Sequence, residues 1–280
     1  MINEIKFLLF LILFIFLILL LIFIINYITY IKFNCNETLN FLKSIPYSGT
    51  IYQILPYLQT GDIILFTNNP KIIKNKKDCY LFSRYMFTPK NYSFQHIGLI
   101  YRTNNNIFLI ESSFPGGNCI KQNSLSNKNY NQGLKIVDFK EYINSYHINS
   151  PKHSECIRHY GIRFINRNIN QNILNKRLSQ EYKILDNTQF NYNKTIVNAL
   201  IGWSTQDIPL KYKHGFDSLL PQNEPKDTYF CSDAVGTLLQ RCGIMKKQIR
   251  PSIFFPSYFS GFMDKDLFYP NTYSKLYMFK

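Results

Sequence analysis

The pattern of apolar and polar residues divides the chain into one uniformly apolar stretch followed by shorter patterned segments. Residues 7–25 contain only Phe, Leu and Ile, and about 20 such residues are needed to cross the hydrocarbon core of a bilayer. A buried helix normally keeps a polar face, and a signal peptide normally ends in a small-residue cleavage site; neither feature occurs here. We therefore predict a single-pass membrane anchor at 1–28, a juxtamembrane segment at 29–56 and one domain at 57–280.

Alternation of apolar and polar positions predicts a β-hairpin in the first half of this domain. Its strands cover residues 93–101 and 107–112, with a polar turn between them. Because side chains on a strand alternate between faces, the register decides whether His96 and Glu111 meet. We predict a register in which opposed residue numbers sum to 207, with the result that His96 lies directly opposite Glu111.

Helical spacing of apolar residues predicts an amphipathic helix that begins at Cys231 and ends before Gly243, a glycine that is typical of helix C-caps. The spacing and the β-rich runs also predict several further elements. The further strands are expected at 58–67, 133–138 and 155–160, and the further helices at 38–43, 139–146, 167–185 and 194–202. Residues 245–280 are aromatic and proline-bearing and are expected to wrap the core. The sum of these elements is one α+β domain, and its length of roughly 220 residues is enough to bury an ample core.

The formal charge of +15 and the basic run at residues 71–90 narrow the classes of partner. An anchored basic domain gains from anionic lipid headgroups, and a solvated basic loop explains the same run equally well. No nucleic-acid recognition module is present, so nucleic acid is not an expected partner. The charges that flank the apolar stretch are too balanced to give the orientation in the membrane.

Six cysteines are scattered along the chain without a CxxC pair or a His/Cys spacing typical of zinc sites. This distribution favours reduced thiols, and we expect neither a metal nor an organic cofactor. Cys242 lies on the apolar face of its helix and is interpreted as a packing residue. Cys231 differs, because it falls in the first turn, where the unpaired backbone N–H groups and the helix dipole favour a thiolate.

A thiolate nucleophile needs a base, and the base needs an orienting partner. His96 and Glu111 on the hairpin are the candidates for these two roles, with His159 and His214 as competing histidines. Taken singly, His96 is better explained as a satisfied strand histidine, and Glu111 as a solvated acid at a strand end. Asp62, which follows a glycine before a strand, is interpreted as a turn residue.

Three sequence blocks occur in a characteristic order: LQTGDIILF at 58–66, FQHIGLIY with FLIESS at 94–113, and YFCSDAVGTLLQRCGI at 229–244. Together they resemble the permuted papain-like group of the NlpC/P60 superfamily, the YiiX/YaeF-type amidases and their poxvirus relatives. The resemblance implies a circularly permuted papain-like fold, an antiparallel sheet packed with helices. It also implies Cys231 as the nucleophile, His96 as the base and Glu111 as the orienting residue.

Two further matches belong to the same resemblance. Gly61-Asp62 corresponds to the pair that opens the first core strand of the family, whereas Gly215-Phe216-Asp217 matches the family's Gly-x-x-Tyr-Asp region incompletely. The resemblance implies a cysteine hydrolase that works through a thioester, and the anchor favours a lipid-like acyl amide or ester as its substrate. A peptidase acting on peptide bonds, and a non-catalytic membrane protein that keeps the scaffold, are the alternatives.

Overall fold

The elements of the domain form around one sheet. The computed structural model describes residues 10–21, 24, 46–68, 94, 96–113, 133–147, 158–185, 231–247, 254, 256–261 and 263–280. The strands are β1 (Ile63–Asn68), β2 (His96–Arg102), β3 (Ile107–Ser113), β4 (Gly133–Asp138), β5 (Arg158–Arg163) and β6 (Tyr277–Phe279). The α-helices are α1 (Ile51–Ile54), α2 (Phe139–His147), α3 (Gln171–Leu185), α4 (Cys231–Arg241) and α5 (Asp264–Leu267), with 3-10 turns at Leu55–Tyr57 and Pro256–Ser260.

The six strands form one sheet in the order β4-β3-β2-β1-β5-β6, and every neighbouring pair is antiparallel. Helices cover both faces, so the sheet is buried on two sides. Alternation along β1 shows this directly, because Ile63 and Leu65 belong to one apolar cluster and Ile64 and Phe66 to the other. The predicted α+β class, with an antiparallel sheet and packed helices, is confirmed.

The first cluster lies between the sheet, the helices α3 and α4, and the C-terminal segment. Its central members are Ile97, Leu99, Leu174, Leu178, Val235, Leu238 and Phe259. The second cluster lies between the opposite face and α2, and it includes Ile100, Leu109, Phe139, Tyr142 and Ile143. Apolar side chains recur every second residue in the strands and every three to four residues in the helices. Their burial between the sheet and the helices stabilises the layers.

The predicted hairpin is present, but its register differs from the prediction by two residues. Arg102 lies opposite Ile107 and Leu99 opposite Ile110, so opposed numbers sum to 209 rather than 207. The turn takes four residues, since the backbone N–H of Thr103 donates to Asn106 O at 2.9 Å and the Thr103 hydroxyl accepts from the Asn106 N–H. A shift of two residues keeps every side chain on its face, so His96 and Glu111 remain on a common side.

Helix α4 starts at Cys231, as predicted, and its end is fixed by a glycine. Gly243 has a φ of +76°, and its N–H donates to Gln240 O while Ile244 N–H donates to Leu239 O. This is the Schellman pattern, which requires a residue with a left-handed backbone. At the other end, the buried Ser232 hydroxyl donates to Phe254 O at 2.7 Å and ties the start of α4 to the C-terminal segment.

The C-terminal segment packs on the core, as predicted, and joins the sheet to the beginning of the domain. Strand β6 pairs with β5, and Met278 forms a parallel bridge with Tyr47. The Ile51 N–H donates to Lys280 O at 2.8 Å, and the Lys280 N–H donates to Gly49 O at 3.0 Å. The later part of the predicted juxtamembrane segment therefore packs against the sheet.

The remaining element predictions differ mainly at their boundaries. Strand β4 and helix α2 match their predictions closely. Strand β1 begins five residues later than predicted, because Gly61 takes a φ of +92° and forms a turn before Ile63. Helix α3 begins at Gln171, where the side chain of Asn170 accepts the Ile173 N–H and caps the first turn. Strand β5 lies three residues later than predicted, and the helices predicted at 38–43 and 194–202 lie outside the described residues.

Within the part of the chain that the structure describes, no helix is long and apolar enough to span a bilayer.

Residues 10–21 are helical, and each of their side chains is at least 41% exposed. The other residues of the predicted apolar span lie outside the described ranges, apart from Ile24. The anchor at 1–28 stays a prediction.

A buried ion pair provides a test of this packing. The guanidinium of Arg163 is 1% exposed and donates to both carboxylate oxygens of Asp264, at 2.6 and 2.5 Å. Asp264→Ala leaves this cation buried without its carboxylate. Since Asp264 is 38% exposed and water screens its charge, we expect the free energy of unfolding to fall by about 2–3 kcal/mol, less than the roughly 3–5 kcal/mol typical of a fully buried pair. Urea denaturation measures the change, and Asp266→Ala in the same helix is the matched control, for which a comparable loss would contradict the assignment.

Candidate active site

The strands β2 and β3 separate at the end where the predicted site residues lie. Their pairing runs from Arg102–Ile107 to Leu99–Ile110. Beyond that point β2 stays paired with β1 as far as His96, and β3 stays paired with β4 as far as Ser113. His96 and Glu111 both lie past the last β2–β3 pair, so their side chains meet where the strands diverge.

A hydrogen-bonded ion pair joins these two side chains. His96 Nε2 lies 2.5 Å from Glu111 Oε2, with the His96 side chain 13% exposed and the Glu111 side chain 1% exposed. Charged groups are strongly favoured to pair when water is excluded from them. The direct opposition predicted for the two residues was wrong, but the contact that it was meant to explain is present.

Electrostatics at the pair favour the ionised forms of both groups. Burial by itself lowers the pKa of His96, but the charge of Glu111 and the hydrogen bonds with Cys231 and Glu111 raise that pKa from 6.5 to about 9. Burial by itself raises the pKa of Glu111, but the charges of Lys135 and His96, with the hydrogen bond to His96, hold that pKa well below its usual value. The ring is therefore an imidazolium and the carboxyl a carboxylate at neutral pH.

Cys231 completes the arrangement from the other layer. It is the first residue of α4, a helix that packs on both β2 and β3, and its thiol interacts with the His96 ring. Cys231 is a free thiol, is 9% exposed and lies at the positive end of the helix dipole.

An aromatic wall supports the histidine. The Phe66 ring, which is directly opposite in β1, lies 5.3 Å from the His96 ring, centroid to centroid. Tyr142 of α2 and Tyr160 of β5 pack on the other edges of Phe66. This apolar packing limits the movement of the imidazole and excludes water from the ion pair.

Sequence reasoning missed one charged member of the site. Lys135 lies opposite Glu111 in the β3–β4 ladder, and its Nζ is 3.1 Å from Glu111 Oε1, the oxygen that does not face His96. The Lys135 side chain is 12% exposed. The strand at 133–138 was predicted, but only its register against β3 identifies this lysine, and no motif marks it.

The competing residues have other roles or lie elsewhere. His159 is buried in β5 and is hydrogen-bonded to the Tyr47 hydroxyl. Asp62 is fully buried and accepts the Gln59 and Ile165 backbone N–H groups and the Arg167 guanidinium, which agrees with its predicted turn role. His214 and the segment Gly215-Phe216-Asp217 lie outside the described residues.

Cys242 provides a contrast with Cys231 in the same helix region. It is a free, buried thiol, and burial raises its pKa to about 12. Its predicted role as a packing residue agrees with its place in the apolar cluster. Among the described residues, no group of three or more His, Cys, Asp and Glu side chains is placed to hold a metal ion.

The titration of His96 tests the ion pair. We expect the ring to lose its proton near pH 9, and Glu111→Gln to lower this midpoint by at least about one unit, because the variant removes the carboxylate that stabilises the imidazolium. The stability from the pair is fully present below pH 6.5 and is lost as the pH rises through about 9. NMR of histidine Cε1, assigned with His96→Gln, measures the midpoint. A wild-type midpoint at or below 6.5 would contradict the assignment.

No protein-family model matches this sequence, and no curated protein matches it either.

Proposed function

We propose that the protein is a membrane-anchored cysteine hydrolase with a circularly permuted papain-like domain. In this proposal Cys231 is the nucleophile, His96 the general acid and base, and Glu111 the residue that orients and charges the imidazole. The observation that carries the proposal is the buried His96–Glu111 ion pair beside a thiol at the first residue of a helix. Cys242, interpreted as a packing residue, has Glu181 and Arg177 as its charged neighbours instead, and burial dominates its pKa.

The first half of the reaction uses Cys231 in its thiolate form and His96 in its imidazolium form. The Cys231 thiolate attacks the carbonyl carbon of an amide or ester, and backbone N–H groups at the start of α4 stabilise the oxyanion. The His96 imidazolium then donates its proton to the leaving amine or alcohol, and the C–N or C–O bond breaks. The product that stays on the enzyme is a thioester on the Cys231 sulfur.

The second half of the reaction regenerates the thiolate. Neutral His96 removes a proton from water, the hydroxide attacks the thioester, and the carboxylic acid leaves as the C–S bond breaks. An alcohol or amine in place of water gives acyl transfer by the same steps. Glu111 keeps one ring tautomer and one orientation throughout, which is the role of the third member of a catalytic triad.

The proposed substrate class is a lipid-like acyl amide or ester. The support comes from the apolar run at residues 7–25, whose described side chains at 10–21 are all exposed and so are not packed against the domain. An apolar helix without a protein partner is stabilised by a bilayer, and an enzyme tethered there meets acyl lipids at high local concentration. A peptide substrate is the competing possibility, since the same chemistry cleaves peptide bonds.

Reactivity of the thiol tests the proposed nucleophile. The full chain in detergent is treated with iodoacetamide across pH 5–10, and labelled sites are read by mass spectrometry. An ordinary cysteine is only a few per cent thiolate at pH 7, so we expect Cys231 to react about tenfold faster than a free thiol at that pH. His96→Ala removes the counter-charge, and the rate should fall to that of a free cysteine or below.

Cys242 is the internal control for this experiment, because its pKa of about 12 keeps it unreactive over most of this pH range. Cys231→Ala should abolish the fast labelling and leave the remaining sites unchanged. Labelling of Cys231 at the rate of free cysteine, without dependence on His96, would support the alternative of a non-catalytic scaffold.

The covalent intermediate separates the two substrate classes. Wild-type protein incubated with N-acyl amides or phospholipids in mixed micelles should gain the mass of the acyl group, which tandem mass spectrometry should place on Cys231. Cys231→Ala should gain none, and His96→Ala should turn over about 10²–10⁴-fold more slowly. Acyl-enzyme formed from peptide pools, but from none of the lipids, would move the proposal to a peptidase.

A further inference from the structure

We propose that Lys135 is a positioning residue of this active site, acting through Glu111. Its ammonium group pairs with the Glu111 oxygen that does not face His96. Its positive charge also offsets part of the negative charge of Glu111, which makes it easier for His96 to lose its proton. The proposal rests on the proposed function, because it assigns a role within the machinery of Cys231, His96 and Glu111.

The geometry gives Lys135 a defined place. Glu111 and Lys135 are opposed residues of the β3–β4 ladder, so both Cβ atoms lie on the same face of the sheet at short separation. Lys135 Nζ lies 3.1 Å from Glu111 Oε1, whereas His96 Nε2 lies 2.5 Å from Oε2. One carboxylate is therefore held at both oxygens, by a cation from each neighbouring strand.

Burial distinguishes this ion pair from those on the surface. Exposed ion pairs contribute little, because water screens the charges and the long side chains lose entropy. Here the Glu111 side chain is 1% exposed and Lys135 is 12% exposed. Among the described residues Glu111 Oε1 has no partner with hydrogen-bond geometry, so Lys135, with its Nζ 3.1 Å away, pairs with this oxygen through its charge. Loss of Lys135 leaves the buried oxygen without its neighbouring cation.

The charges divide the roles of the two cations. Among the described residues, the charged groups that contact Glu111 are His96 from β2 and Lys135 from β4, and Cys231 from α4 contacts His96. The other neighbours of His96 through Phe66 are the tyrosines of α2 and β5. Without Lys135, the full negative charge of Glu111 acts on His96, so the imidazolium becomes a weaker acid. The nearby loss of a positive charge also makes ionisation of the Cys231 thiol less favourable.

The experiment measures the pH–rate profile of Cys231 alkylation by iodoacetamide in the full chain. Lys135→Met removes the charge, Lys135→Arg keeps it, and Lys140→Met is a matched control that removes an exposed lysine of α2. The lower limb of the profile follows ionisation of the thiol, and the upper limb follows loss of the His96 proton. Removal of a nearby positive charge disfavours both proton losses.

For Lys135→Met we therefore expect both limbs to move to higher pH by roughly half a unit to one unit, with a rate at pH 7 several-fold lower. Lys135→Arg should restore the positions of both limbs, and Lys140→Met should match the wild type. Circular dichroism checks that each variant is folded. Should the Met variant not fold, Lys135→Gln, which keeps a donor without the charge, gives the same comparison.

Two failures are distinguishable. If wild-type Cys231 shows no activation, the proposed function fails. If the wild type is activated and the Met and Gln variants lose stability or amplitude without any movement of the limbs, Lys135 is a structural residue and the inference is overturned.

Discussion

The burial of one carboxylate organises the centre of this domain. Glu111 is almost completely enclosed, and an ionised carboxylate is tolerated in such a place only when it is paired and hydrogen-bonded. Its two oxygens need two cations, and the cations come from the strands on either side, His96 on β2 and Lys135 on β4. The ion pairs of Glu111 therefore depend on how β2, β3 and β4 are ordered in the sheet and on the register between β3 and β4.

The sheet provides the space in which this charge can act. Where β2 and β3 are paired, their side chains face helices on both sides and form the apolar core. Beyond the Leu99–Ile110 pair the backbone hydrogen bonds between the two strands end, and the side chains of His96 and Glu111 interact there instead. Helix α4 packs across both strands, and its first residue, Cys231, interacts with His96 at this end of the hairpin. The fold thus brings a helix start, a histidine and a buried glutamate together without any additional element.

Features of the fold and the site were predictable from the sequence when they depend on residues close together in the chain, and were not when they depend on pairing between separate strands. The hairpin, the helix from Cys231 and the strand at 133–138 depend on local alternation and on glycines, and sequence reasoning found them. The placement of His96 and Glu111 on the same face of the sheet was also predictable, because it depends only on the alternation of side chains along each strand. The register itself was not, because the four-residue turn is fixed by Thr103 and Asn106. Lys135 was beyond reach for the same reason: its meaning depends on a pairing between β3 and β4 that no local pattern encodes.

The closure of the sheet has a consequence for the order of folding. The β2–β3 hairpin joins residues that are neighbours in sequence, whereas the bridge between Tyr47 and Met278 joins positions almost a whole domain apart. Chain entropy favours the local pairing first and delays the distant ones. A partly folded chain then already contains the strands that bear His96 and Glu111, while the helix of Cys231 has yet to dock. The contact between Cys231 and His96 needs this later docking, so in the proposed enzyme the reactivity of the thiol would also mark a domain that has folded.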